Sequence, residues 1–274
     1  MHCTFIRYLR VKRSQRLLLE LIGSPYLICL FYRDDNDANC TYEGDNNVLL
    51  QQTSNWLMNA WREKRTSSPF GSLDFLKNAD KNLRTTFYLE DFTKLEDLLL
   101  IFQSLATHLI VNTNEKLKTQ LANGLNDFEA KNESQFFMAR TLSLVFIQMT
   151  MFERFINYIT EGEFKDNEKG VLKDLGLIYA LWCLEKHLGH LYQYKILTHQ
   201  DQVSKIRNTL LKLCKNLVCN AVALVDVLAP PDFILNSILG QSDGNIYQHL
   251  KKSFYSSDNS FGRTRYWNEI VSKL

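Results

Sequence analysis

Proline is nearly absent from this sequence, and that constrains the fold more than any other feature. The four prolines stand at 25, 69, 230 and 231, so residues 70–229 contain none. A chain free of proline over that span can run long helices without interruption, and apolar residues recur through it at helical rather than strand spacing. Leu49, Thr53, Trp56 and Ala60, flanked by Leu50, Leu57 and Trp61, predict a helix over 47–64. Asp45 or Asn46 is its expected N-cap. Residues 65–92 read as a polar boundary segment with one short helix near 72–78. A broad stripe from Leu95 to Ile110 predicts a core-facing helix over 93–121, stopped by Asn123-Gly124.

Another long helix is expected from Phe128 to about Glu161, then a polar loop at 163–169 and a helix over 171–192. Thr198 reads as the cap of a helix running to Leu228, where Pro230-Pro231 stops it. Short helices follow at 232–238, 244–255 and 264–272. Neither hairpin turn chemistry nor strand alternation is present. The fold class is therefore all-α, a helical bundle.

Bulk properties narrow the function. The 274 residues suffice for a sizeable core, and 45% apolar with 23% charged residues is ordinary for a globular chain. Net charge is +2, of which residues 1–33 carry +5 (six Lys/Arg against Glu20), leaving −3 for the rest. A basic leader on a near-neutral body is not a nucleic-acid-binding face. The apolar stretch 17–31 loosely mimics a signal peptide but contains Glu20, Gly23, Ser24 and Pro25, and no apolar run reaches the length of a membrane span. Six cysteines without paired spacing predict unpaired thiols in a reducing compartment.

Few residues carry chemistry. Glu43 is a lone carboxylate beside Gly44, just ahead of the 47–64 helix. One well-placed glutamate can remove a carbon-bound proton next to a carbonyl, and the glycine lets a flat ligand approach the backbone. Taken by themselves, these residues favour reading Glu43 as a first-turn acid complementing the helix dipole, and Asp45 equally suits a plain N-cap. His187 and His190 share a helix face, but no third ligand accompanies them, so no metal site is expected. Asp226 on an apolar turn is expected to be buried and to need a hydrogen-bond partner. The Phe/Met-rich 136–155 helix, Trp56 and Trp61 read as core. The final tripeptide Ser272-Lys273-Leu274 has the form of a peroxisomal import signal read by a receptor.

The segment Asp34 to Asn55, containing Cys40-Thr41-Tyr42-Glu43-Gly44-Asp45-Asn46-Asn47, resembles the catalytic segment of peroxisomal acyl-CoA oxidases, most of all the branched-chain (pristanoyl-CoA) type. So do Ala139-Arg140-Thr141-Leu142-Ser143-Leu144, Leu175 to His187, and Ala221-Val222-Ala223-Leu224-Val225-Asp226-Val227-Leu228-Ala229-Pro230-Pro231-Asp232-Phe233. The resemblance covers about residues 33–274. It implies 1–32 as a divergent basic leader, 33–64 as the end of an acyl-CoA dehydrogenase-like helical domain, and 65–274 as the oxidase C-terminal helical domain.

The resemblance also implies FAD-dependent α,β-dehydrogenation of a long or 2-methyl-branched acyl-CoA, with O2 reduced to H2O2, in peroxisomal fatty acid β-oxidation. Glu43 matches the base, its pKa raised by burial against flavin and acyl chain. Gly44 matches the position of close backbone approach, and Asp45 and Asn47 lie where relatives place side chains near the flavin pyrophosphate. The implied partners are acyl-CoA, O2, the peroxisomal import receptor, and a second subunit as homodimer or a full-length oxidase. The family's Gly-Gly-His-Gly stretch has no match in residues 1–32. Two further readings therefore stand beside the enzyme: a non-catalytic helical module that pairs with a full-length oxidase, and an acyl-CoA-binding module without redox activity.

Overall fold

The computed structural model describes residues 44–235, 238–256, 262 and 267. One compact unit spans Glu43–Ala221, and the described residues from Val222 onward belong to a second. Among the described residues there is no strand, only an isolated parallel bridge between Phe87 and Leu197.

The first unit is built on α1 (Asn46–Arg62), a 3-10 turn (Asp74–Asn78), α2 (Ala79–Arg84), α3 (Leu95–Ala122), α4 (Asp127–Ser134), a π-helical turn (Gln135–Ala139), α5 (Arg140–Glu161), α6 (Asp166–Glu185), α7 (Leu188–Gln193) and α8 (Asp201–Leu217). Helix α3 is the axis, packing against α1, α2, α4, α5 and α6, while α8 packs on α6. Its length and apolar character would suffice to cross a membrane, which the run-length argument did not anticipate. In the fold its apolar face is core: Leu98, Ile101, Phe102, Leu105, Leu109 and Ile110 have no exposed surface. The rings of Phe102 and Phe152 pack across the α3–α5 seam with centroids 5.9 Å apart. Helix α6 comes close because of Gly176, where an added Cβ would meet the Phe155 ring at 3.1 Å and Leu95 at 3.2 Å.

Apart from Asn55 Oδ1, buried side-chain polar atoms among the described residues of this bundle are bonded, as burial requires. Asn82 donates to the Phe75 carbonyl and to Thr107 Oγ1, locking the 3-10 turn to α3. The segment after α2 is pinned to the chain around α8. Phe87 N–H donates to the Ile196 carbonyl at 2.8 Å, Thr86 Oγ1 donates to the Lys195 carbonyl, and Lys205 bridges Glu90 and Asp201. The amide of Gln202, suitably turned, donates to the Phe87 carbonyl and accepts from Leu89 N–H.

Four boundaries differ from the sequence pattern. The expected 128–161 helix is broken into α4, opened by an Asn126/Glu129 capping box, then the π turn, then α5. The expected loop at 163–169 is shorter because Glu168 accepts from Lys165 N–H and starts α6 early. The 171–192 helix ends at Glu185: Lys186 and His187 N–H groups bond three residues back, tightening the last turn. The helix expected from Thr198 starts at Asp201 and gives way at Leu217 to a 3-10 turn (Val218–Asn220).

Beyond it lie α9 (Ala221–Leu228), α10 (Asp232–Leu235) and α11 (Ile246–Ser256), none with a buried residue. Asp226 is therefore exposed, and the expectation of a buried acid seeking a partner is corrected. Most of the expected 264–272 helix lies outside the described residues.

Candidate catalytic segment and its support

Of the residues singled out in sequence, Glu43 and Ser272-Lys273-Leu274 lie outside the described residues; Gly44, Asp45 and Asn47 are at the start of α1. Gly44 takes φ = +129°, a region that side-chain-bearing residues rarely enter. It turns the chain into α1 and leaves the backbone uncovered on its exposed side. Asp45 follows in extended conformation as N-cap, its Oδ1 accepting from Asn47 N–H at 2.8 Å and Val48 N–H at 3.3 Å. Two of the helix's unsatisfied amides are thus taken by a carboxylate from the chain itself. Asn47 is exposed one residue beyond Asn46, the first helical position.

This geometry tests how the segment suits a flavin. Gly44 suits it, since a planar group can rest against backbone that carries no Cβ. Asp45 does not suit a pyrophosphate: its carboxylate adds negative charge and occupies the amides that would otherwise receive an anion. Its observed role is to fix the direction in which the chain enters α1. Asn47 carries no charge to oppose a phosphate.

Helix α1 is held firmly. Leu50, Ser54, Leu57, Met58 and Ala60 are buried, and Trp56 packs on Phe146 of α5 with ring centroids 5.9 Å apart. Ser143 of α5 donates its hydroxyl to the Leu50 carbonyl at 2.6 Å, across 93 residues of sequence. The contacts advance together along both helices, Leu50 with Ser143 and Trp56 with Phe146. The π turn ahead of α5, which also packs against α1, therefore lies towards the start of α1. Asn55 of α1 buries its Oδ1 with no hydrogen-bond partner among the described residues.

The histidines have structural places. His187 is buried, with its Nε2 donating to Gln148 Oε1 at 2.8 Å. Burial, helped by the nearby His190 and Lys186, pushes its pKa down to about 4, so it is neutral near pH 7. His108 stacks on Tyr194, and burial lowers its pKa. Among the described residues no three His, Cys, Asp or Glu side chains converge as metal ligands. Cys183, Cys214 and Cys219 are free thiols, and burial raises the Cys183 pKa. Trp56 and Trp61 pack on the core, as the sequence pattern predicts.

Sequence reasoning missed the Ser143–Leu50 and His187–Gln148 bonds. The available signal was a small polar residue inside the apolar run 142–146, and a histidine following one at 175–184.

The sequence model of the acyl-CoA oxidase family matches residues 94–274. The chain belongs to the acyl-CoA oxidase family. It is 36% identical over 246 residues to the human peroxisomal acyl-coenzyme A oxidase 3, covering 87% of this chain and 35% of that one. Among solved structures, the tomato acyl-CoA oxidase superposes with a TM-score of 0.77 at 24% identity, over 86% of this chain and 36% of its own. The Caenorhabditis elegans acyl-CoA oxidase-2, described bound with FAD, ascaroside-CoA and ATP, superposes at 0.73 with 22% identity, over 86% and 34%. The chain thus spans about a third of the length of these relatives.

Proposed function

We propose that this chain carries the base-bearing segment and C-terminal helical domain of a peroxisomal acyl-CoA oxidase. In this reading residues 33–64 close the dehydrogenase-like helical domain and 65–274 form the C-terminal domain. The reaction converts a long or 2-methyl-branched acyl-CoA and O2 into the trans-2-enoyl-CoA and H2O2. Glu43 takes the α-proton, which the thioester carbonyl makes acidic. FAD, when bound, supplies the acceptor for the hydride leaving the β-carbon and passes both electrons to O2.

Gly44 would give the substrate or flavin ring backbone to lie against, Asn47 would stand near the cofactor, and Asp45 orients the segment by capping α1. The observation that carries this reading is the junction itself. A glycine with positive φ and a capped helix bonded to α5 follow Glu43 directly in sequence. A base must be held within hydrogen-bond reach of its proton, and a rigid support supplies that.

The test is acyl-CoA-dependent peroxide release by the purified chain with added FAD, using straight and 2-methyl-branched substrates. Turnover that disappears in Glu43→Gln supports the reading, and undiminished turnover in that variant removes Glu43 from the reaction. Import through Ser272-Lys273-Leu274 is part of the proposal, in keeping with relatives named peroxisomal. Deleting Leu274 is expected to leave the protein cytosolic, and continued import would sink that assignment.

A further inference from the structure

Four of the chain's five methionines lie among the described residues, in unlike surroundings. Met58 and Met149 belong to the core, and Met138 is half-buried. Met151, on α5, is 57% exposed. Its sulfur also faces a donor: the hydroxyl of Tyr179, on α6, points to Met151 Sδ at 3.8 Å. That phenol is held in place by its ring, which packs against Phe152 with centroids 6.4 Å apart. Burial, helped by the neighbouring Cys183, raises the phenol's pKa, so it remains a donor near neutral pH. The Cys183 thiol itself is buried and closed to oxidants in solvent. A thioether is a weak acceptor, so the Tyr179 hydroxyl is aimed at an atom that makes little use of it.

We infer that Met151 is a site of modification by peroxide, and that Tyr179 is placed to hold the resulting sulfoxide. In the step, a lone pair of Sδ attacks one oxygen of H2O2 and the O–O bond breaks. An S–O bond forms, and the sulfur is oxidised by two electrons. The departing hydroxide takes the proton of the transferred oxygen and leaves as water, so one H2O2 is consumed and one H2O released. A sulfoxide ordinarily harms a fold by putting a polar group where an apolar one packed. Met151 differs, because its side chain is largely in solvent and a donor already points at its sulfur. The added oxygen is a strong acceptor, and a long O–H···S contact becomes an O–H···O bond of about 2.7 Å. Oxidation thereby ties α5 to α6 more firmly, and α5 is the helix that holds α1 through Ser143. The inference rests on the proposed function only for the source of oxidant, since the proposed reaction releases H2O2; the site itself does not need Glu43 to be active.

The test treats the purified full chain with added H2O2, follows each methionine by peptide mass and compares melting before and after treatment. Sulfoxide is expected at Met151 ahead of Met138 and roughly tenfold faster than at the buried Met58 and Met149. The oxidised parent is expected to melt about 2 °C above the untreated protein, and methionine sulfoxide reductase should reverse the rise. In Tyr179→Phe, which keeps the ring and loses the donor, oxidation should bring no rise. Met151→Leu should show none either, which excludes the exposed thiols Cys214 and Cys219 as its source. Met151 oxidised no faster than the buried methionines overturns the inference. So does a melting temperature that oxidation of the parent leaves unchanged or lowers, or an equal rise in either variant. Because the oxidant is added, the result is independent of turnover. A chain that makes no peroxide from acyl-CoA and FAD but is oxidised and stabilised at Met151 loses the catalytic reading and keeps this site. Glu43-dependent peroxide release with Met151 left unmodified does the reverse.

Discussion

Ser143 on α5 donates its hydroxyl to the Leu50 carbonyl on α1, a single 2.6 Å bond that ties the helix behind the candidate base to the bundle. Both groups are buried, and a buried bond of this kind is worth about 1 kcal/mol net. Ser143→Ala is expected to lower unfolding stability by about that amount. The loss should also be local, with faster amide exchange in α1 and unchanged exchange in α6 and α8. Uniform loosening of all helices would mean that the bond does not position α1 in particular.

Asp45 separates two roles that its sequence position leaves open. Its carboxylate caps α1 through Asn47 and Val48 N–H. Capping needs an oxygen acceptor and no charge, so Asp45→Asn should be nearly neutral, whereas Asp45→Ala should cost about 1 kcal/mol. Chemical denaturation of the two variants checks this. Equal losses from both would show that the charge, and not the cap, is what matters there.

Gly176 sets the approach of α6 to α5 and α3. A Cβ there already meets Phe155 and Leu95 at 3.1–3.2 Å, so a branched side chain must push the helices apart. Gly176→Val is expected to destabilise by about 1–3 kcal/mol through overpacking. A melting temperature at or above that of the parent would show that the seam can yield.

The helical fold was legible because its signal is carried by many residues. The stripe from Leu95 to Ile110 repeats too often for any single exception to hide it. What escaped was decided by single long-range contacts. Nothing local to Lys186 says that the helix stops there; the stop coincides with His187 turning its ring to Gln148, 39 residues earlier. The bridge between Phe87 and Leu197 is equally silent in sequence, since one pair of residues makes no alternating pattern. The π turn at Gln135–Ala139 adds a residue to a helical turn without any breaker residue to announce it. At the candidate site the positive φ of Gly44 and the Asp45 cap follow from residue type. The role of Glu43 came only from family likeness, because a lone carboxylate before a helix has an ordinary explanation. Asp226 is exposed although its sequence neighbours are apolar, because an apolar run in sequence is not by itself burial in space.

His187 makes the stability of the bundle depend on pH, and the sign follows from its burial. Its folded-state pKa is pushed down to about 4, below the ordinary histidine value, chiefly because a buried ring resists charging. Between about pH 6.5 and pH 4 the unfolded chain binds a proton that the folded chain refuses, so unfolding is favoured as pH falls. The contribution is fully present above about pH 6.5 and is lost progressively down to about pH 4. Its full size is about 3 kcal/mol at most, from 1.36 kcal/mol per pKa unit. Burial also raises the pKa of Glu153, which adds its own pH dependence, so the useful quantity is a difference. His187→Gln keeps a polar side chain facing Gln148 without a proton to gain. The stability gap between parent and variant, measured by urea denaturation, should shift in favour of the variant as pH falls from 7 to 4.5. A gap that stays constant over that range would show that His187 is protonated without penalty in the folded bundle, and hence that its ring is not closed off from water.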